Sequence, residues 1–131
     1  MIGIDTNILV RFLTRDDPVL TVKADALMAS LSRSARGYVA TAVVVELIRV
    51  VRRNHGATRA ETAQIVEKLI ASDELVVESR GNVESALQLL RTSSGEFPDC
   101  LILRACQNAG CHPTVTFDRQ AARSIGMKLA L

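Results

Sequence analysis

Short runs of uniformly apolar residues recur along the chain between longer stretches with helical spacing, and this alternation restricts the fold more than any other feature. Five such runs read as strands: Met1 to Asp5, Gly37 to Thr41, Glu74 to Glu78, Thr114 to Phe117 and Met127 to Leu131. Between them, helices are predicted over Thr6 to Thr14, from the Asp17-Pro18 cap to about Ser32, and from about Val43 to Asn54 with Gly56 as the stop. Further helices are predicted from Thr58 or Arg59 to Ala71, from an Asn82 cap through Leu90, from Pro98 through Asn108, and from Arg119 to Ser124. Strands that are apolar throughout, rather than at every second residue, suit a parallel sheet buried on both sides. The expected fold is therefore α/β: one domain over residues 1–131, with a central parallel sheet of about five strands and helices on both faces.

Composition narrows the function classes. A chain of 131 residues with 48% hydrophobic and 23% charged residues can build one continuous core. Aromatics amount to 3%, so platforms for stacking single-stranded bases are scarce, and a nucleic-acid partner would be held mainly by its backbone. The net charge of +2 permits a polyanionic partner without requiring one. Cys100, Cys106 and Cys111 lack the spacing of a zinc site or of a disulfide framework, which fits reduced thiols. No run reaches the roughly 18 apolar residues of a membrane span, and no leader-like segment opens the chain, so a soluble cytoplasmic protein is expected.

Against this background four acidic residues stand out, because each lies in or beside an apolar segment: Asp5 in IGIDTNILV, Glu46 in VVVELIRV, Asp99 in FPDCLIL and Asp118 in TVTFDR. An ionised carboxylate is costly to bury without a partner, and these segments carry no matching set of cations. Convergence on one or two hard divalent ions, which take oxygen ligands, would neutralise all four. In parallel α/β sheets, sites form beyond the carboxyl ends of the strands. Asp5 ends the first strand and Asp118 follows the fourth, while Glu46 and Asp99 lie near the starts of helices. Helical spacing predicts an inward stripe of Val43, Leu47, Val50 and Val51 with Glu46 on its border, and places Asp99 on a face with Ile102, Leu103 and Cys106. Asp5, Asp99 and Asp118 also stand where a carboxylate caps or favours a helix N-terminus, whereas Glu46 has no such role. His55, His112 and the Arg52-Arg53 pair read as surface or helix-end residues.

The segments IGIDTNILVRFL, TAVVVELIRV, PDCLILRA and TVTFDR resemble, in order and spacing, the PIN domain, and in particular the VapC-like ribonuclease toxins of toxin–antitoxin pairs. The resemblance covers nearly the whole chain. It implies that Asp5, Glu46, Asp99 and Asp118 are a catalytic, metal-binding quartet, supported through hydrogen bonds by Thr6, Asn7 and Thr116. It further implies a three-layer sandwich, an RNA substrate, a VapB-like antitoxin, contact with operator DNA only through the antitoxin complex, and a homodimer. Cys100 stands where the family usually has a smaller residue such as alanine, and is expected to pack as a small hydrophobe.

An all-oxygen site suits Mg2+ or Mn2+, one or two ions, which activate water for attack on phosphorus and offset the charge of the scissile phosphate. Arg11, Arg15, Arg49 and Arg119 lie close enough in sequence to guide an RNA backbone. The alternative is a catalytically inactive PIN-like scaffold that binds protein or RNA. A phosphoacceptor receiver domain is disfavoured, since ELVVESRG supplies no acceptor aspartate after the third strand and the terminal KLAL no lysine after the fifth.

Overall fold

Helix starts follow local chemistry in the computed structural model, which describes residues 1–130. The described residues contain seven α-helices and five short strands, divided between two compact units, Met1–Glu78 and Ser79–Leu131.

In the first unit, β1 (Ile2–Gly3), β2 (Gly37–Val39) and β3 (Leu75–Val77) form a parallel sheet in the order β1-β2-β3. Its register pairs Ile2 with Gly37 and Gly37 with Leu75. Gly37 is required by crowding, because a Cβ there would lie 2.9 Å from Ile4 Cγ1 and 3.1 Å from Leu31 Cδ1. Four helices accompany the sheet: α1 (Thr6–Thr14), α2 (Pro18–Ser30), α3 (Thr41–Asn54) and α4 (Arg59–Ala71). Leu9 and Val10 of α1 are buried, as are Val44, Leu47, Ile48 and Val51 of α3, and α1 packs on both α2 and α3. Asp17 caps α2 through the Val19 and Leu20 amides, with Pro18 in the first helical position as expected. Thr58 opens α4 with a reciprocal capping box, its hydroxyl accepting from Glu61 N–H while the Glu61 carboxylate accepts from Thr58 N–H.

The second unit packs α5 (Arg80–Thr92) against α6 (Phe97–Asn108). Val83, Ala86, Leu87 and Leu90 of one helix and Phe97, Cys100, Leu101 and Leu103 of the other are buried, so Cys100 does serve as a core hydrophobe. β4 (Val115–Thr116) and β5 (Lys128–Leu129) form a separate two-stranded parallel sheet, with α7 (Arg119–Ile125) between them in sequence and packed on both. Leu103, Ala121 and Met127 make a second cluster, flanked by Leu89 and Ile125.

Several expectations need correction. The α/β class and parallel pairing hold, but the strands are divided between a three-stranded and a two-stranded sheet instead of one sheet of five. Apolar runs specify strands and their flanking helices, whereas the pairing partner is set by the crossovers, which no run encodes. β1 is exposed at both residues and β4 at Val115, so neither is enclosed on both faces. The predicted Asn82 cap is also displaced: α5 begins at Arg80 after Ser79, which adopts φ 51° and ψ 46°. Asn82 lies inside the helix, where its side-chain oxygen accepts from the Asn108 amide of α6. Leu131, the end of the last predicted strand, lies outside the described residues. Among the described residues, no helix is long and apolar enough to cross a membrane.

Two stability predictions follow from local geometry. A Cβ on Gly95 would stand 2.5 Å from Ile125 Cγ2, so Gly95→Ala should lower stability by about 1–3 kcal/mol, read as a reduced Tm in thermal denaturation. The Thr58 backbone N–H, with the Thr58 side chain, holds the Glu61 carboxyl below its ordinary range. A depressed carboxyl stabilises the fold above its unfolded value of about 4.3 and loses that contribution as pH falls through the folded value. Glu61→Gln should therefore have a lower Tm than the unsubstituted chain at neutral pH, and the gap should close as the solution is acidified.

Candidate active site

Asp5 follows β1 and forms the N-cap of α1, with φ −79° and ψ 159°. Its Oδ1 accepts the Thr6 N–H at 2.8 Å and its carbonyl accepts the Ile8 N–H at 3.2 Å, and no other hydrogen bond to the Asp5 carboxylate is made among the described residues. Asp118 stands in the same relation to β4 and α7. Its Oδ1 accepts from Gln120 N–H at 2.8 Å and from Ala121 N–H at 3.3 Å, while its own N–H donates to the Thr116 hydroxyl at 3.0 Å. In both residues the cap uses Oδ1 and leaves the capacity of Oδ2 available. Capping and metal ligation are thus compatible uses of one carboxylate.

Glu46 is the sixth residue of α3 and is exposed, and its side chain has no hydrogen bond or ion pair among the described residues. The buried stripe of α3 is Val44, Leu47, Ile48 and Val51, not the predicted Val43, Leu47, Val50 and Val51. Because this helix carries apolar residues on more than one side, periodicity locates its inward face only to within about one residue. Asp99 lies in the first turn of α6, half-buried among Phe97, Pro98 and Cys100. Of its predicted face-mates, Leu103 is buried, Cys106 is half-buried and Ile102 is 47% exposed.

The premise of buried carboxylates is therefore corrected. Asp5, Glu46 and Asp118 are exposed and Asp99 is half-buried, so water can solvate them and burial alone does not demand a cation. Asp5 and Asp118 escape burial because each sits where the chain leaves a strand and turns into a helix. Asp5 and Glu46 belong to the first unit, Asp99 and Asp118 to the second. Among the described residues, no three His, Cys, Asp or Glu side chains are grouped so as to hold a metal ion. The donor set itself is chemically suited to one: four carboxylates supply only oxygen, the ligand type Mg2+ and Mn2+ prefer.

The supporting residues differ in what they do. Thr116 holds the backbone of Asp118 and Thr6 donates its amide to Asp5, whereas Asn7 is exposed at the start of α1. The arginines divide in the same way. Arg11 pairs with Asp16 at 2.7 Å, and Arg15 grips Asp25 through two bonds of 3.0 and 2.7 Å, so both are engaged within the protein. Hydrogen bonds from those guanidinium groups hold the Asp16 and Asp25 carboxyls below their usual range. Arg49 and Arg119 are exposed, and their side chains make no hydrogen bond or ion pair among the described residues. His55, a helix-end residue as expected, lies 3.6 Å from Asp16.

Two features escaped the sequence reading. Glu78 accepts the Thr41 N–H at 2.8 Å and so serves the start of α3 from 37 residues away, a pairing with no local signal. Phe117, read only as the end of a strand, is 85% exposed directly before Asp118. An apolar cavity of about 490 Å³ in the first unit, lined by residues including Leu9, Phe12, Met28, Leu69 and Leu75, excludes both Asp5 and Glu46 from its walls. That cavity and the two candidate acids are thus separate features of the unit.

A family model described as the PIN domain matches residues 2–125, and no protein of curated function matches the chain. PIN domains are generally nucleases that hydrolyse phosphodiester bonds. With the match spanning almost all of its 131 residues, the chain belongs to the PIN domain family.

Proposed function

We propose that this protein is a divalent-metal-dependent endoribonuclease and the toxin component of a toxin–antitoxin pair. The observation that carries the reading is the use of an acidic residue at the same structural position twice. Asp5 and Asp118 each follow a parallel strand, each caps the next helix through one oxygen, and each lies within the extent of a nuclease family match. Glu46 and Asp99 complete the acidic set that the family resemblance assigns.

Asp5, Asp99 and Asp118 would hold Mg2+ or Mn2+, and Glu46 would either share in that ligation or accept a proton from the attacking water. A bound divalent ion lowers the pKa of a coordinated water and offsets charge on the phosphate. The chain's own contribution is positional. The N-caps fix the Asp5 and Asp118 backbones, and the Thr116 hydroxyl restrains Asp118 further. Arg49 and Arg119, with no internal partner among the described residues, are suited to contact the RNA backbone.

The partners in this reading are an RNA substrate, a second copy of the chain, and a small VapB-like antitoxin through which the complex reaches operator DNA, all in the cytoplasm. Val19, Leu20 and Val22 support a protein partner, since α2 exposes these three aliphatic side chains to solvent.

Asp5→Asn tests the assignment, because asparagine also caps helices well and the fold should survive the change. Cleavage of RNA in the presence of Mg2+ or Mn2+ should fall by more than about a hundredfold, above the range seen when an outer hydrogen-bonding partner of a metal site is lost, with Tm unchanged or raised. Cleavage at the unsubstituted rate by this variant, or by the unsubstituted protein in excess chelator, would reject the metal-nuclease reading. Thr116→Ala should reduce activity by about ten- to one-hundredfold in the same assay, since it frees the Asp118 backbone without removing a carboxylate.

A further inference from the structure

Phe117 is the one exposed phenylalanine or tyrosine among the described residues. Phe97 is fully buried, Phe12 and Tyr38 are half-buried, and the chain has no tryptophan. Its 85% exposure cannot be ascribed to a slack loop. The Thr116 hydroxyl accepts the Asp118 N–H, closing a turn whose central residue is Phe117. On one side, Thr116 is tied into the two-stranded sheet, where its carbonyl accepts from Ala130 N–H at 2.8 Å. On the other, the Asp118 side chain is bound to the first turn of α7. The ring is therefore presented to solvent by a backbone restrained on both sides, and it directly precedes a candidate metal ligand.

The charge around it is equally one-sided. From Val115 to Leu129 the charged residues are Asp118, Arg119, Arg123 and Lys128. All three cations are exposed, and their side chains have no hydrogen bond or ion pair among the described residues. Val115 pairs with Lys128 in the parallel register, which puts an exposed aliphatic residue and a cation side by side across the sheet. A fixed aromatic face amid uncompensated positive charge matches single-stranded nucleic acid, whose bases stack on aromatic rings while its phosphates meet the cations. A purely apolar protein partner would leave those cations unanswered.

We infer that Phe117 is a base-stacking platform that seats one nucleobase of single-stranded RNA beside Asp118, with Arg119, Arg123 and Lys128 serving the flanking phosphates. The inference rests on the ribonuclease reading above and adds to it a residue that positions the substrate through its base. Because every base offers a π-face, this contact strengthens binding without dictating sequence. It would also restrict productive binding to unpaired RNA, since a base within a duplex has no free face to offer.

The test compares the full-length protein with Phe117→Ala, Phe117→Tyr and Phe117→Trp on a single-stranded RNA oligonucleotide of mixed sequence, with Mn2+ or Mg2+. In Phe117→Ala, KM should rise roughly ten- to one-hundredfold, the range for loss of one stacked base, while kcat and Tm stay close to their original values. Phe117→Tyr should restore KM. Phe117→Trp introduces the only tryptophan of the chain, and its fluorescence should be quenched by the oligonucleotide but not by an abasic ribose-phosphate oligomer of equal length. If the unsubstituted protein cleaves RNA while Phe117→Ala keeps the same KM, or if abasic and base-bearing oligomers quench alike, the stacking role is wrong and the nuclease reading stands. Unchanged KM together with weakened self-association in sedimentation would instead assign the ring to a protein contact. Failure of the unsubstituted protein to bind or cleave RNA with either ion would overturn both.

Discussion

A helix that follows a strand begins with amide groups that have no partner in the helix, and much of this protein is organised around satisfying them. Asp5 serves α1, Asp17 serves α2 and Asp118 serves α7, each with a carboxylate oxygen on the first-turn amides. The Thr58 and Glu61 pair serves α4, and Glu78 reaches Thr41 at the head of α3. The demand is structural, yet it has a chemical by-product. In a parallel arrangement each strand hands its chain to a helix at its carboxyl end, so a capping acid placed there also presents an unused oxygen where α/β proteins bind ligands.

That double use explains how candidate metal ligands remain compatible with a stable fold. Exposed carboxylates incur little desolvation, and the capping bonds offset part of the cost of fixing their backbones. Asp5, Asp118 and Glu46 are all of this exposed type, and the half-buried Asp99 lies in the first turn of a helix, where the helix dipole favours a negative charge. The same economy governs the arginines. Arg11 and Arg15 brace the junction between α1 and α2 through Asp16 and Asp25, which leaves Arg49 and Arg119 as the unpaired members of the four considered for RNA. Phe117 completes this division between residues engaged in the fold and residues facing outward.

Legibility in the sequence tracked how local each signal was. Thr6–Thr14 and Arg59–Ala71 were both readable, because Asp5, Arg15, Thr58 and Glu61 act within a turn of the boundaries they set. The family and the α/β class were readable as well, from motif order and uniformly apolar strands. The start of α5 was not, since Ser79 reaches a left-handed conformation without a glycine and Asn82 is engaged by Asn108, 26 residues along the chain. The inward stripe of α3 was misread because Val43, Val44 and Val45 are equally apolar and only packing selects among them.

The sequence by itself determined the elements, their parallel character and the family, and it marked the four acids as candidates, because periodicity, capping and motif spacing are properties of neighbouring residues. Tertiary structure alone decided the solvation of those acids, the division of the strands into two sheets, and which cations are left without an internal partner. Exposure and ion pairing depend on what distant segments bring to a side chain, as Asp25 does for Arg15 and Glu78 for Thr41. An apolar stretch around Asp5 or Asp118 describes only its covalent neighbours, and those neighbours turn away from the carboxylate when the chain passes from strand to helix.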